Sequence, residues 1–255
     1  TRIVVAKGKQ QGSIDKPYLT GELIATDLDG KNQDYLYGFN SAKYGKRAGS
    51  RGTDEGWGFF SGKPTPANGH FYMRTESWND NTYSTLYDVD ATRNTRHLIG
   101  QISVHDMSFM VGADGQARFA YGRNVKDQYV VYRRDNDGWK QLSAAQIGGT
   151  FTPIHFTPDE KGIYARYDAG GGPSSLVSQD ENGGNRKVLA RADFGSVGRV
   201  QWTPYPYQPF ATAPLTGVPD FTYIDPTTPV AKLHRALTMK FPGEYVDFVQ
   251  FSQDG

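Results

Sequence analysis

The sequence predicts an all-β fold, a β-propeller of four-stranded antiparallel blades. A short strand motif that ends in aspartate recurs at residues 90, 135, 180 and 225, so successive copies are 45 residues apart. Turn sequences rich in Gly, Asp and Asn separate short apolar runs, and strands do not alternate with long helices. A repeat of this length, made of four short strands, is typical of propeller blades.

One repeat is easiest to follow between residues 102 and 142, where Asp-Gly turns join the predicted strands. Such turns supply the positive φ that a tight hairpin requires. The four strands are predicted at 102–111, 117–121, 129–134 and 139–142. The same order recurs in two further repeats, which begin at 150–156 and 199–202.

The N-terminal repeats are less regular. Second, third and fourth strands are predicted at 2–6, 22–27 and 34–39, with a long polar loop at 7–20, and Trp57–Phe60 is predicted to open the next blade. Asn40–Gly56 holds four Lys and Arg residues. We predict a solvated loop there, with contact to an acidic partner as the alternative.

Near the C-terminus the pattern changes to a helical one at 230–241. Thr228 and Pro229 form a helix start, Leu233 and Leu237 are spaced four apart, and Pro242-Gly243 ends the helix. A first strand is then predicted at 246–251. The chain is expected to be one propeller domain or fragment, 1–255, cut from a longer protein, with about five blades. Its approximate sequence units are 1–68, 69–115, 116–162, 163–208 and 209–255. The period leaves open a closed five-bladed ring or an arc of a larger propeller.

Composition excludes several classes of function. The net charge of +1 gives no reason to expect nucleic acid or an anionic membrane as a partner. The absence of cysteine excludes disulfides, thiolate metal ligands and a cysteine nucleophile. No apolar run is long enough for a membrane helix, and residues 1–6 do not resemble a signal peptide.

Polar residues of the first strands are the main candidates for ligand contact, because these strands line the channel of a propeller. They are Asp54, Glu55, His105, Asp106, Thr152, His155, Arg199, Gln201, Glu244 and Asp247. The pair His105 and Asp106, or Glu244 and Asp247, could act as the acid and base of a glycosidase. The repeated aspartates are instead predicted to form turns with backbone N–H groups.

Other chemistry is not predicted. The histidines lack the spacing of metal ligands, so no metal site and no cofactor is expected. No Gly-x-Ser-x-Gly sequence is present, so no catalytic residue is assigned. Gly170–Ser175 is predicted to be a hairpin loop rather than a phosphate loop, because no helix follows it.

Three stretches together carry a resemblance to a known family. They are Leu19–Gly30, Val131–Asp135 with Trp139–Leu142, and Ala231–Leu237 followed by Phe241-Pro242-Gly243. They resemble the propeller of bacterial prolyl oligopeptidase family serine peptidases, in particular dipeptidyl-peptidase and acylaminoacyl-peptidase-like members. The resemblance implies about seven blades and a following α/β-hydrolase domain with the catalytic Ser, Asp and His. No residue of this chain matches those positions.

The resemblance also implies a function. The propeller would form one wall of a cavity that admits short or unfolded peptides to the hydrolase, and this chain alone would be inactive. His105, Asp106, Arg199 and Glu244 would contact the peptide substrate, and the hydrolase domain would be the partner. The parent would be periplasmic or secreted. The alternatives are a stand-alone ligand- or protein-binding propeller and a five-bladed glycosidase-like propeller.

Overall fold

A computed structural model describes residues 2–44, 53–65, 67–79, 82–192, 195–215, 220–249 and 251. Strands form 47% of the chain and helices 8%, which confirms the predicted all-β class. The strands are β1 Ile3–Lys9, β2 Tyr18–Thr26, β3 Asp34–Tyr37, β4 Gly56–Phe60, β5 His70–Ser77, β6 Ser84–Asp90, β7 Thr95–Ile102, β8 Met107–Val111, β9 Ala117–Arg123, β10 Tyr129–Asp135, β11 Gly138–Gln141, β12 Thr150–Phe156, β13 Gly162–Asp168, β14 Ser175–Asp180, β15 Lys187–Ala190, β16 Val197–Trp202, β17 Pro209–Pro214 and β18 Thr222–Tyr223. The helices are α1 Ser41–Tyr44, α2 Ala144–Ile147 and α3 Pro229–Lys240.

The strands form five antiparallel sheets, and each sheet uses strands that are consecutive in the sequence. Three sheets have four strands, in the orders β4-β5-β6-β7, β11-β10-β9-β8 and β12-β13-β14-β15. The first and last sheets have three strands in the described part, β1-β2-β3 and β16-β17-β18. Up-and-down sheets of this kind are propeller blades, so the predicted propeller architecture is confirmed.

The chain divides into two compact units, and the division lies within β10 and β11. In the first unit, residues 1–130 and 134–139, the core joins the first two sheets through Leu23 and Leu36 on one side and Phe71, Met73 and Val89 on the other. In the second unit, residues 131–133 and 140–255, one core cluster packs around Leu176 and another around Phe210. No helix in the described ranges could span a bilayer.

The helix predicted near 230–241 is present as α3. The Thr228 hydroxyl accepts a hydrogen bond from the backbone N–H of Ala231 at 3.3 Å, so Thr228 is the N-cap. Of the leucines whose spacing predicted this helix, Leu233 is exposed, and the buried residues of α3 are Ala231 and His234. The short helices α1 and α2 were not predicted.

Three predicted strand boundaries are wrong. The run 102–111 is interrupted by a turn at 103–106, so β7 ends at Ile102 and β8 starts at Met107. The polar segment 7–20 is partly strand, since β1 reaches Lys9 and β2 starts at Tyr18. The strand predicted at 246–251 is absent from 246–249 and 251, its described residues. Residues 45–52 of the predicted basic loop 40–56 lie outside the described residues.

Three of the four repeated aspartates bind backbone N–H groups of their own turns, as predicted, whereas Oδ2 of Asp180 accepts a hydrogen bond from Nδ2 of Asn185 at 2.8 Å. Oδ1 of Asp90 accepts the backbone N–H groups of Thr92 and Arg93 at 2.8 and 3.0 Å. Asp135 and Asp225 each accept the N–H of the residue two positions later, at 3.0 and 2.9 Å. These carboxylates are therefore occupied by their own turns.

Candidate functional site

The predicted contacts His105 and Asp106 lie in the turn between β7 and β8, not on a strand. Asp106 has a φ of 56°, a conformation that Asp tolerates better than most residues. Its Oδ1 accepts a hydrogen bond from Nη1 of Arg74 at 2.9 Å. The same Nη1 lies 2.7 Å from Oε1 of Glu76. One guanidinium therefore joins two carboxyl groups.

Glu76 is the buried member of this cluster and was not predicted. Burial raises its pKa, and the neighbouring Asp106 carboxylate adds to the effect, although Arg74 and His105 oppose it. Oε1 of Glu76 has no partner in good hydrogen-bond geometry despite its closeness to Arg74. The acid/base pairing of His105 with Asp106 stays a prediction, and the structure adds that Asp106 shares Arg74 with Glu76.

In the second unit, the predicted contact Arg199 is on β16 and is ion-paired with Asp247. Nε2 of Gln201 donates to Oδ1 of Asp247 at 2.7 Å, and Oε1 of Gln201 accepts the N–H of Phe248 at 3.1 Å. The chain after α3 is held against β16 by these contacts. Arg199 remains exposed and has its guanidinium 5.5 Å from the Tyr245 ring centroid.

Glu244, the fourth predicted contact, lies in the bend after α3 and is exposed. Its backbone N–H donates to the carbonyl oxygen of Phe241 at 3.2 Å. Asp247 is held by Arg199 and Gln201, and the acid/base pairing of Glu244 with Asp247 stays a prediction. Within the described ranges no group of three His, Asp or Glu side chains is arranged to bind a metal ion.

A polar cleft of the first unit lies beside the start of β4 and the end of β5. Its volume is about 440 Å³. The lining side chains are mostly hydroxyls, amides and one ion pair: Tyr37, Thr53, Asp54, Glu55, Thr75, Ser77, Asn79, Tyr83, Thr85, Tyr87, Arg96 and Gln101. Asp54 and Glu55 belong to the predicted channel-lining set. Most of the other lining residues lie on second, third and fourth strands, whereas Thr53, Asn79 and Tyr83 lie outside the strands.

An ion pair fixes one wall of the cleft. Arg96 donates from Nη1 and Nη2 to the two carboxylate oxygens of Asp54, at 2.8 and 2.7 Å. The Arg96 guanidinium also lies 5.0 Å from the Tyr37 ring centroid. This bidentate pair neutralises both charges where they line the cleft.

Tyr37 forms the base of the cleft. Burial raises its pKa to about 12, and the Asp54 carboxylate adds to the effect, so the phenol stays protonated. The ring lies against β4 because Gly58 has no side chain, since a Cβ there would stand 2.7 Å from Cδ1 of Tyr37. Gly56 also leaves room for Tyr37, because a Cβ at residue 56 would stand 2.6 Å from the Tyr37 hydroxyl oxygen.

A cluster of exposed aromatic rings stands next to this cleft; we call Phe39, Trp57 and Trp78 the ring cluster. Phe39 and Trp78 stack with centroids 6.2 Å apart, and Trp57 meets Trp78 edge-on at 5.9 Å. The three residues remain 57%, 42% and 41% exposed. Trp78 lies between two residues that line the cleft, Ser77 and Asn79. The backbone N–H of Trp78 donates a hydrogen bond to the carbonyl oxygen of Glu55 at 2.9 Å.

Sequence reasoning missed the ring cluster because its members are far apart in the chain. One available signal was the pair of adjacent acidic residues, Asp54 and Glu55, which Gly56 separates from Trp57. The start of β4 and the end of β5 are brought together because Gly56 pairs with Ser77 and Trp57 pairs with Glu76. This strand register cannot be read from a single sequence.

Comparisons with known proteins do not assign a family. No family model matches the chain, and no curated protein matches it. The solved structures that resemble it include TolB from Acinetobacter baumannii, with 16% identity, a TM-score of 0.46, and coverage of 79% of this chain and 48% of TolB.

Two 6-phosphogluconolactonase-like proteins are also similar. The one from Bacteroides fragilis is 15% identical, with a TM-score of 0.37 and coverage of 84% of this chain and 60% of that protein. The one from Bacteroides uniformis is 14% identical, with a TM-score of 0.36 and coverage of 80% and 65%. The chain thus spans about half to two thirds of the length of these structures.

Proposed function

We propose that this chain is a non-catalytic binding module that holds an extended peptide segment along the ring cluster and the neighbouring cleft. The observation that carries the proposal is the exposure of three mutually packed rings, Phe39, Trp57 and Trp78, beside a polar cleft. Rings in this setting give a large contact area at a small cost in side-chain entropy, which is why recognition surfaces use them.

A peptide fits the groups that the cleft offers. Tyrosine hydroxyls, Ser and Thr hydroxyls and the amides of Asn79 and Gln101 can donate to and accept from main-chain amide groups. Because Asp54 and Arg96 neutralise each other, the wall that they form has no net charge to attract a polyanion. Grooves lined by aromatic rings receive extended, proline-containing peptides in this manner.

Titration with a hexapeptide library that is acetylated and amidated at its ends tests the proposal, with tryptophan fluorescence and calorimetry as readouts. We expect binding, and we expect Trp78→Ala to weaken it at least tenfold, or about 1.4 kcal/mol. Phe60→Ala is the matched control, because Phe60 is exposed on the same strand as Trp57 but stacks on Phe71 instead. Binding of cellohexaose or maltohexaose in place of peptides would contradict the proposal.

The narrower prediction is that the parent protein places this module beside an α/β-hydrolase domain, for which it gates or positions peptides. This prediction rests on the sequence resemblance, and a binding module that acts without a hydrolase would use the same cleft. The reading frame after Gly255 in the parent distinguishes a module that serves a hydrolase domain from one that acts without it. A Gly-x-Ser-x-Gly sequence within an α/β-hydrolase pattern is expected, and a stop codon shortly after Gly255 would remove the basis for the peptidase.

A further inference from the structure

The second unit contains a separate cleft beneath its glycine-rich loop. The loop joins β13 to β14, as the sequence predicts, and the cleft beside it has a volume of about 420 Å³. Two arginines, Arg186 and Arg191, line it together with Ser174 and Ser175. It shares no residue with the ring cluster or the first cleft.

Arg186 is held in a fixed position. Its Nε donates to Oε1 of Gln179 and its Nη2 to the carbonyl of Gln146, both at 2.6 Å. The guanidinium carbon lies 3.5 Å from the centroid of the Tyr167 ring. These contacts use neutral partners, so they orient the guanidinium and leave its charge uncompensated. Nη1 of Arg186 makes no hydrogen bond to any of the described residues.

The balance of charge in the cleft is positive. Neither Arg186 nor Arg191 forms an ion pair with any carboxylate of the described part of the chain. Among the described residues that line the cleft, Asp168 is the one carboxylate, and its Oδ1 accepts the N–H of Gly170 at 3.1 Å and also that of Gly171. Within this described lining, two guanidinium groups against one committed carboxylate leave about one positive charge for a ligand.

Apolar side chains also line the cleft. Val188 is 47% exposed although it is aliphatic, and Pro173 and Ala192 line the cleft with it. A ligand that satisfies both the arginines and the apolar side chains has an apolar body and a single negative charge. A dianion such as phosphate fits less well, because the Asp168 carboxylate lines the same cleft and the apolar surface would stay uncovered.

We propose that this cleft binds a carboxylate whose body is apolar, with Arg186 and Arg191 holding the carboxylate and Val188 packing against the body. An N-acylated amino acid and the C-terminal residue of a peptide share this chemistry. The proposal does not depend on the peptide site of the first unit.

Calorimetry with N-acetyl-L-phenylalanine and its neutral amide tests the proposal on the whole chain. We expect the acid to bind and the amide to bind at least tenfold more weakly. A peptide that ends in Phe, with a free or an amidated C-terminus, distinguishes a peptide end from a free acid. Equal affinity of acid and amide, tighter binding of inorganic phosphate, or no binding of either acid at millimolar concentration would overturn the proposal.

Variants locate the site. Arg191→Gln changes an exposed side chain and is expected to weaken binding of the acid at least tenfold. Arg123→Gln, another exposed arginine, is the control and should have no effect. Arg186→Lys keeps the charge but loses the planar contact of the guanidinium with Tyr167, so we expect it to weaken binding of the acid. This conservative variant still tests the site if Arg186→Gln does not fold. Unchanged affinity in both Arg191→Gln and Arg186→Lys would contradict the assignment.

Discussion

Asp54 is the acceptor for both terminal nitrogens of Arg96, and the same carboxylate binds two further donors. Its Oδ2 accepts the backbone N–H of Gly38 at 3.2 Å and the hydroxyl of Ser41 at 2.9 Å. The Asp54 and Arg96 side chains are only 15% and 12% exposed. One carboxylate thereby fixes the end of β3, the start of α1 and the fourth strand of the next sheet around the cleft.

Replacing Asp54 by Asn is therefore expected to destabilise the protein. Arg96 would keep its buried position and lose its counter-charge, and removal of one partner of a buried pair costs about 3 kcal/mol or more. Urea unfolding should show a lower midpoint with an unchanged slope.

The control for this variant is Asp127→Asn. Asp127 pairs with Arg123 within one exposed turn, so its removal should leave the midpoint unchanged. An Asp54→Asn midpoint equal to that of the unmodified protein would mean that the pair does not hold the cleft together.

The sequence predicted the blade repeat well because each blade is a local meander. Asp-Gly and Asn-Gly turns and short apolar runs lie within one repeat, and the aspartates at 90, 135 and 225 bond to backbone groups two or three residues away. The same reasoning explains the success for α3, whose start is encoded by Thr228 and Pro229.

The site was harder to predict because it depends on contacts between distant segments. Asp54 meets Arg96 across 42 residues, and Arg74 meets Asp106 across 32. The prediction that first-strand polar residues line a channel stays a prediction, although Asp54 and Glu55, just before β4, do line the cleft. It misplaced His105 and Asp106, since an apolar run of 102–111 gave no sign of the turn that contains them.

Glu76 gives a prediction about pH. Its pKa is raised above the ordinary value of 4.5, so the folded protein binds a proton more tightly than the unfolded chain. The contribution of Glu76 to stability is complete below pH 4.5 and is lost as the pH rises through the folded-state pKa. Glu76→Gln removes this dependence, and we expect the variant to gain stability relative to the unmodified protein between pH 4 and pH 7.

Chemical unfolding at pH 4 and at pH 7 measures the difference in stability between Glu76→Gln and the unmodified protein. Asp127→Asn again serves as the control, with no change between the two pH values expected. Glu76→Gln could instead lose stability relative to the unmodified protein as the pH rises. That result would show that the attraction between Arg74 and the Glu76 carboxylate outweighs the cost of burying the carboxylate.

The N-cap of α3 is a further point of test. Thr228→Ala removes the acceptor for the N–H of Ala231 and should cost about 1 kcal/mol, whereas Thr228→Ser keeps the hydroxyl and should cost much less. Thermal unfolding followed by circular dichroism compares the two variants. Equal losses in both would show that the threonine methyl group, not the hydroxyl, is responsible.

His155 on β12 is expected to titrate far below the ordinary range. Its ring stacks on Tyr207 at 4.5 Å and meets Trp202 edge-on at 4.7 Å. Burial lowers the pKa of His155 from 6.5 to about 4, because the imidazolium would lose its hydration among these rings. Proton NMR of the imidazole resonances should give this value, with His155→Phe used to assign the signal.

The lowered pKa of His155 also predicts how the free energy of unfolding depends on pH. The folded state binds this proton more weakly than the unfolded chain, so the contribution of neutral His155 is complete above pH 6.5 and is lost as the pH falls toward 4. The shift corresponds to roughly 3 kcal/mol. In His155→Phe, which keeps an aromatic ring between Trp202 and Tyr207, this part of the loss should disappear. If the unmodified protein and the variant lose stability equally between pH 6.5 and pH 4, His155 is not the group that responds to acid.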